Sequence, residues 1–288
     1  MANLKDIKRR IVSVKNTQKI THAMRLVSSA KFARANQAVI AARPYNDGFE
    51  RMVEKIVTVG GDIPTRITEK RGQHKKELLV LVSTDRGLCG GLNSGLFKVA
   101  ARFVEAKRQA GITLDTVAWG RRAGMFCHKV KWNLLLERDK VTDKPKYALA
   151  KQLADQVVAM YLDGAYDGVQ IAFVEYKSAL SQVPSIKQIL PVLPKVAATP
   201  ADSSAHMLIE PTVSQIIEPV LARLIVAQTF RILLEATASE HAARMTAMDS
   251  ATKNAKEVVR KLTLQYNRGR QAAITRELIE ITSGAEAV

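Results

Sequence analysis

Residues 213–266 read VSQIIEPVLARLIVAQTFRILLEATASEHAARMTAMDSATKNAKEVVRKLTLQY. Alternate steps of four and three from Val213 land on Ile217, Val220, Leu224, Ala227, Arg231, Leu234, Ala238, His241, Met245, Met248, Thr252, Ala255, Val259, Leu262 and Tyr266. Only Arg231, His241 and Thr252 interrupt the apolar line. A 3.5-residue period held this long predicts a left-handed coiled-coil seam. About eighty residues of helix at 1.5 Å each make roughly 120 Å, far longer than a domain diameter. Pro211 suits a first helical turn, and Pro219 predicts a bend in the second.

A seam needs a partner, and the other end of the chain supplies one. Leu4, Ile7, Ile11, Val14, Gln18, Thr21, Arg25, Ser28, Phe32, Ala35, Val39 and Ala42 follow the same spacing, and Phe49, Met52, Val53 and Ile56 resume it. Pro44 is expected to kink this helix or end a segment. Small residues on both seams, such as Ala35, Ala238 and Ala255, let helix axes approach closely. The two ends are therefore expected to pair antiparallel, with the middle of the chain as an inserted domain.

Between about 75 and 195 the period changes. ELLVLVS (77–83), ITLDTVAWG (112–120), KVKWNLLLE (129–137), GVQIAFVEYKSAL (168–180) and SIKQILPVL (185–193) read as strands. Leu96–Ala106 and Tyr147–Leu162 read as helices. This alternation predicts a small, mostly parallel α/β sheet with an antiparallel edge pair. LPKVAATPADSSA (193–205) reads as the linker into the last helix. The expected division is a helix over 1–57, an α/β domain over 75–195 and a helix over 206–288.

The stretch STDRGLCGGLNSG (83–95) lies where an α/β protein places a nucleotide. It lacks the Gly-Lys-Ser/Thr of a phosphate loop, because the first downstream lysine is Lys98. The spacing Gly87, Gly90, Gly91, Gly95 also departs from the dinucleotide fingerprint. The expectation is a tight elbow: Gly87 and Gly90 at positive φ, Gly91 letting a helix start close to the sheet, Asp85 capping amides, and Asp85 and Arg86 set against another chain. His22, His74, His128, His206 and His241 show no ligand spacing, so no metal and no cofactor is expected. Cys89 and Cys127 make no disulfide framework, which fits a reducing compartment. The charged start and the lack of an apolar run near 18 residues lead us to expect neither a signal peptide nor direct membrane insertion. A net charge of +17 implies an acidic partner: nucleic acid, anionic lipid or an acidic protein surface.

The most specific motifs are NRGRQAAITRELIEITSGAEAV (267–288), SEHAARMTAMDSATKNA (239–255), IKRRIVSVKNTQKITHAMRLVSSAKFARA (7–35) and DRGLCGGLN (85–93). Together they resemble the gamma subunit of bacterial F-type ATP synthase, end to end. The resemblance implies an antiparallel coiled coil of the terminal helices with an inserted Rossmann-like α/β domain. It implies a non-catalytic central shaft turning inside a ring of alpha and beta subunits, with epsilon and the c ring at the globular side. It also implies a peripheral location on the cytoplasmic face of the bacterial membrane. By motif, Arg270, Gln271, Thr275 and Glu277, with Lys8, Arg9, Arg10, Met24, Arg86 and Gly87, would face the alpha/beta ring. Glu210 and Pro211 would lie on the epsilon/c-ring side. The MLIEP segment (207–211) departs from the family, which often carries aromatics before Glu-Pro; the cysteine-bearing chloroplast insertion is also absent.

Two other readings compete. A basic coiled-coil nucleic-acid-binding protein would explain the charge, but the basic helices lack interleaved aromatics and any recognised nucleic-acid motif. A small Rossmann-type enzyme with helical arms is undermined by the failed phosphate motifs.

Overall fold

The computed structural model describes residues 4–60, 65–69, 75–143, 145–192, 210 and 212–286. In chain order the elements are α1 (Leu4–Gly60), β1 (Lys76–Val82), α2 (Leu92–Gln109), β2 (Thr113–Trp119), α3 (Arg121–Val130), β3 (Leu134–Arg138), α4 (Tyr147–Leu162), β4 (Gly168–Tyr176), β5 (Gln182–Leu190) and α5 (Val213–Glu286). They form two compact units, one of Met1–Ala30 with Arg244–Val288, the other of Lys31–Ala243. The expected linker and Pro211 lie outside the described residues.

The first unit is a pair of helical segments. Every seam residue from Leu4 to Ser28 and from Met245 to Tyr266 is buried or half-buried. The pairing is antiparallel: Leu4 lies against Gly269, the Thr252 hydroxyl donates to Thr21 Oγ1 at 2.8 Å, and Arg25 faces Asp249 at 3.7 Å. The step from the first contact to the second is 17 residues on both segments, and the next is four against three, so one antiparallel register runs along the pair. The middle of this seam is polar, and its hydroxyls satisfy each other or the Met248 carbonyl. That removes the cost of burying them unpaired.

The second unit is built on a five-stranded sheet, ordered β3-β2-β1-β4-β5. Strands β3, β2, β1 and β4 are parallel, and β5 pairs antiparallel with β4. Side chains alternate along a strand. Leu78, Val80 and Val82 of β1 therefore join one core with α4 and the terminal-helix residues Val53, Ile56, Leu221 and Leu224. Leu79 and Leu81 join the opposite core with Leu96 of α2 and Cys127 of α3. Burial on both faces explains why β1 reads as an unbroken apolar run.

One expectation changes and another narrows. KVKWNLLLE is not one strand: α3 runs to Val130, Lys131 turns left-handed at φ 57°, and β3 begins only at Leu134. The helix is only ten residues long, and its last turn runs into the apolar stretch that reads as strand. Of the two outcomes expected at Pro44, a kink or an end, α1 does not end there, and Pro219 lies in the second turn of α5 where it was expected. Both prolines are exposed, so the carbonyl that each deprives of a helical donor lies on a wetted face.

Candidate functional site

The carboxyl end of β1 opens into the glycine elbow. Thr84 donates through Oγ1 to the Arg86 carbonyl at 2.7 Å. Asn93, in the first turn of α2, donates to Thr84 Oγ1 at 2.8 Å and to Cys89 Sγ at 3.4 Å. Left-handed backbone falls at Leu88 (φ 63°) and Gly90 (φ 60°), not at Gly87. What lies where a Gly87 Cβ would be is the guanidinium of Arg122, the far end of an exposed side chain. Gly91 has nothing nearer than the Ser94 hydroxyl at 3.7 Å, so it is not a point of close approach to the sheet.

Ser83 and Asp85 point back into the domain. Ser83 Oγ accepts from the Ala123 N–H at 2.6 Å, at the first turn of α3. Asp85 Oδ1 accepts from the Arg121 N–H at 3.1 Å and the Lys140 N–H at 2.8 Å. Asp85 Oδ2 accepts from the Thr142 N–H at 3.4 Å. Asp85 thus caps amides as expected, but those of the α3 N-terminus and of the 140–142 turn rather than those of its own loop. The amides it satisfies lie 36 to 57 residues away along the chain, a distance no local motif reveals. A carboxylate at the α3 N-terminus also occupies the place where a phosphate would be favoured.

In sheets of this order, ligands bind outside the strand carboxyl ends where the order reverses, here between β1 and β4. The chain's own terminal helices occupy that position. Tyr176, at the end of β4, clusters with Val39 of α1 and with Leu234, Ala238 and Ala242 of α5. The Ser239 hydroxyl donates to the Val174 carbonyl at 3.4 Å, and Thr142 Oγ1 donates to Glu240 Oε2 at 2.8 Å. From Ile232 to Ala242 every residue of α5 is buried. The nucleotide position is closed by a helix.

Beside this closure lies an open cleft of about 340 Å³, whose rim carries Lys31, Arg34 and Arg86 opposite Asp143. Arg86 is 68% exposed and reaches Asp143 only at 3.9 Å, so most of its charge faces solvent. The other expected contact residues belong to the coiled-coil unit. Lys8, Arg9 and Arg10 are exposed on α1, and Met24 is half-buried beside the seam. Arg270, Gln271, Thr275 and Glu277 are exposed on α5, near Gly269 and hence at the same end as Lys8–Arg10. Ile274, Leu278 and Ile281 are exposed beside them on α5. Glu210 is exposed.

Other reactive groups serve structure. The Cys127 thiol is pushed up to about 12 by burial and by the Glu137 carboxylate. Asp115 is buried among Lys76 at 2.8 Å, the Tyr166 hydroxyl at 2.7 Å and the Asn133 amide at 2.7 Å. Burial alone would raise its pKa, but these three partners together hold it below the ordinary carboxylate value. Among the described residues no group of three or more His, Cys, Asp or Glu is placed to hold a metal ion. No described helix is long and apolar enough to cross a membrane.

A family model described as ATP synthase matches residues 3–288. The ATP synthase gamma chain of Trichlorobacter lovleyi is 43% identical over all of this chain and 99% of its own. That of Moorella thermoacetica is 40% identical over the full length of both. Among solved structures, the rotor of Euglena gracilis mitochondrial ATP synthase superposes with a TM-score of 0.66 at 19% identity. That likeness covers 94% of this chain and 98% of the other, and it bears on the fold. Full-length identity at this level, together with a nucleotide position closed by the chain's own helices, leads to one conclusion: the chain belongs to the ATP synthase gamma chain family.

Proposed function

We propose that the exposed basic and polar positions on α1, α5 and the glycine elbow are the contacts through which this chain works inside an alpha/beta ring. As a gamma chain it is the central rotary shaft of an ATP synthase and has no catalytic centre of its own. The observation that carries the proposal is the separation of roles along the helices. The seams are buried, whereas Lys8, Arg9, Arg10, Arg270, Gln271, Thr275 and Glu277 are left outward. An exposed ion pair contributes only about 0–1 kcal/mol. Such contacts break easily as a shaft turns past successive partners. The planar fork of Arg270 and of Arg86 suits bidentate pairing with carboxylates on the ring.

The partners in this reading are the alpha and beta subunits around the coil and the epsilon and c subunits at the globular side, with Glu210 and Pro211 facing the latter. The location that follows is peripheral, on the cytoplasmic face of a bacterial membrane. Nothing in the structure or its relatives favours the nucleic-acid reading of the charge.

Co-expression with alpha and beta subunits tests this. The expected result is a stable complex whose ATPase activity rises with the chain present; a chain that neither enters the complex nor raises its activity overturns the reading. For the terminal contacts, Arg270→Ala with Gln271→Ala is expected to lower coupled turnover while leaving the isolated chain's melting curve in place.

A further inference from the structure

Every residue of α5 from Ile232 to Ala242 is buried, yet five of them (Glu235, Thr237, Ser239, Glu240 and His241) carry polar side chains of a kind that apolar packing does not need. Thr237 Oγ1 lies 3.0 Å from the Thr142 carbonyl and 2.8 Å from the carbonyl of Leu233 in its own helix. The Ser239 hydroxyl donates to the Val174 carbonyl, and Glu240 Oε2 accepts from Thr142 Oγ1 at 2.8 Å. Thr142 is itself 1% exposed and sits in the turn after β3. Its N–H donates to Asp85, which also receives the N–H groups of Lys140 and Arg121. One turn is therefore clasped from both sides, by the elbow at the end of β1 and by α5.

We propose that Thr142 is a torsional pin, joining the α/β domain to the C-terminal helix so that torque passes between them without slip. The proposal rests on the shaft reading. Apolar contacts are non-directional, and packed helices can slide or turn past one another by repacking. Hydrogen bonds weaken steeply with angle. One residue of register shift turns a helix face by about 100°, which would carry Glu240 and Thr237 off Thr142 together. The loss of the Thr142–Glu240 hydrogen bond within a buried site then opposes the slip. The hydroxyl has a single proton, and the shorter distance directs it to Glu240 rather than to Asp85 Oδ2 at 3.3 Å. Asp85 keeps its backbone donors, so removing the Thr142 hydroxyl spares the domain side of the clasp and falls on the bond to Glu240.

Thr142→Val keeps the branched shape and removes the hydroxyl. In vesicles holding the assembled synthase, we expect ATP hydrolysis within twofold of wild type. Protons pumped per ATP should fall at least twofold, and Thr142→Ser should restore the ratio. A change of stability alone would move the melting temperature and leave this ratio intact at temperatures where both chains are folded. An unchanged ratio in Thr142→Val overturns the proposal. If that variant does not assemble, Thr142→Ala removes the same hydroxyl and carries the same test, and an unchanged ratio there overturns it equally. A wild-type chain that fails to join the alpha/beta ring rejects the shaft reading and the pin with it. A wild-type chain that couples normally beside an equally coupled valine variant rejects the pin alone.

Discussion

Gly120 stands at φ 101°, and a Cβ there would run into the carbonyl of Ser83. Both strain and clash oppose any side chain, so Gly120→Ala is expected to lose about 2–4 kcal/mol. Chemical denaturation of the isolated chain checks this; a loss below about 1 kcal/mol would show that the loop relaxes. Asp115 gives a pH signature. Its folded pKa lies below the ordinary value, so its contribution to stability is complete above the unfolded carboxylate pKa. It is lost as pH falls through the folded one. Urea midpoints for wild type should fall between about pH 5 and pH 2. Asp115→Asn should be less stable at neutral pH and show a flatter acid limb; parallel curves would place the acid sensitivity elsewhere.

At the scale of elements, the two long helices show how tertiary pairing overrides a local break. Pro44 sits inside α1, and its exposed position lets the helix continue around it. Pro44→Ala is expected to raise stability by about 1–3 kcal/mol, since it restores an N–H and removes a ring clash. Thermal unfolding measures it, and an unchanged melting temperature would mean that the helix is held wholly by its neighbours. The seams were legible because a 3.5-residue spacing belongs to the chain itself: each expected position from Leu4 to Tyr266 in the coiled-coil unit is buried or half-buried. Helix α3 was not legible, because it is only ten residues long and its last turn merges into the apolar run of β3. Gly124 is nonetheless required where Glu137 of the neighbouring strand lies across α3.

For the molecule as a whole, the net charge of +17 bears on association more than on fold. If the partners are acidic, the rate of assembly with the alpha/beta ring should fall steeply with salt. We expect about tenfold slower association between 50 and 300 mM salt, with little change in the isolated chain's melting curve. Stopped-flow mixing checks it, and a salt-independent rate would remove electrostatic guidance from the account. The basic cleft of Lys31, Arg34 and Arg86 and the exposed arginines of the coil are the places where such guidance would act.

Spacing and composition alone determined the paired terminal helices, the inserted, mostly parallel sheet and the absence of a phosphate-binding lysine. Those are properties of neighbours in sequence, and period and motif report them directly. What Asp85 does was decided only in three dimensions. It was expected to cap amides, and the ones it gathers belong to Arg121, Lys140 and Thr142, none of them near it along the chain. The closing of the nucleotide crevice by Ser239 and Glu240 was hidden for the same reason. Hydrogen bonds between residues 36 to 98 positions apart leave no period in the sequence, because distance in space, not along the chain, sets which groups must satisfy each other.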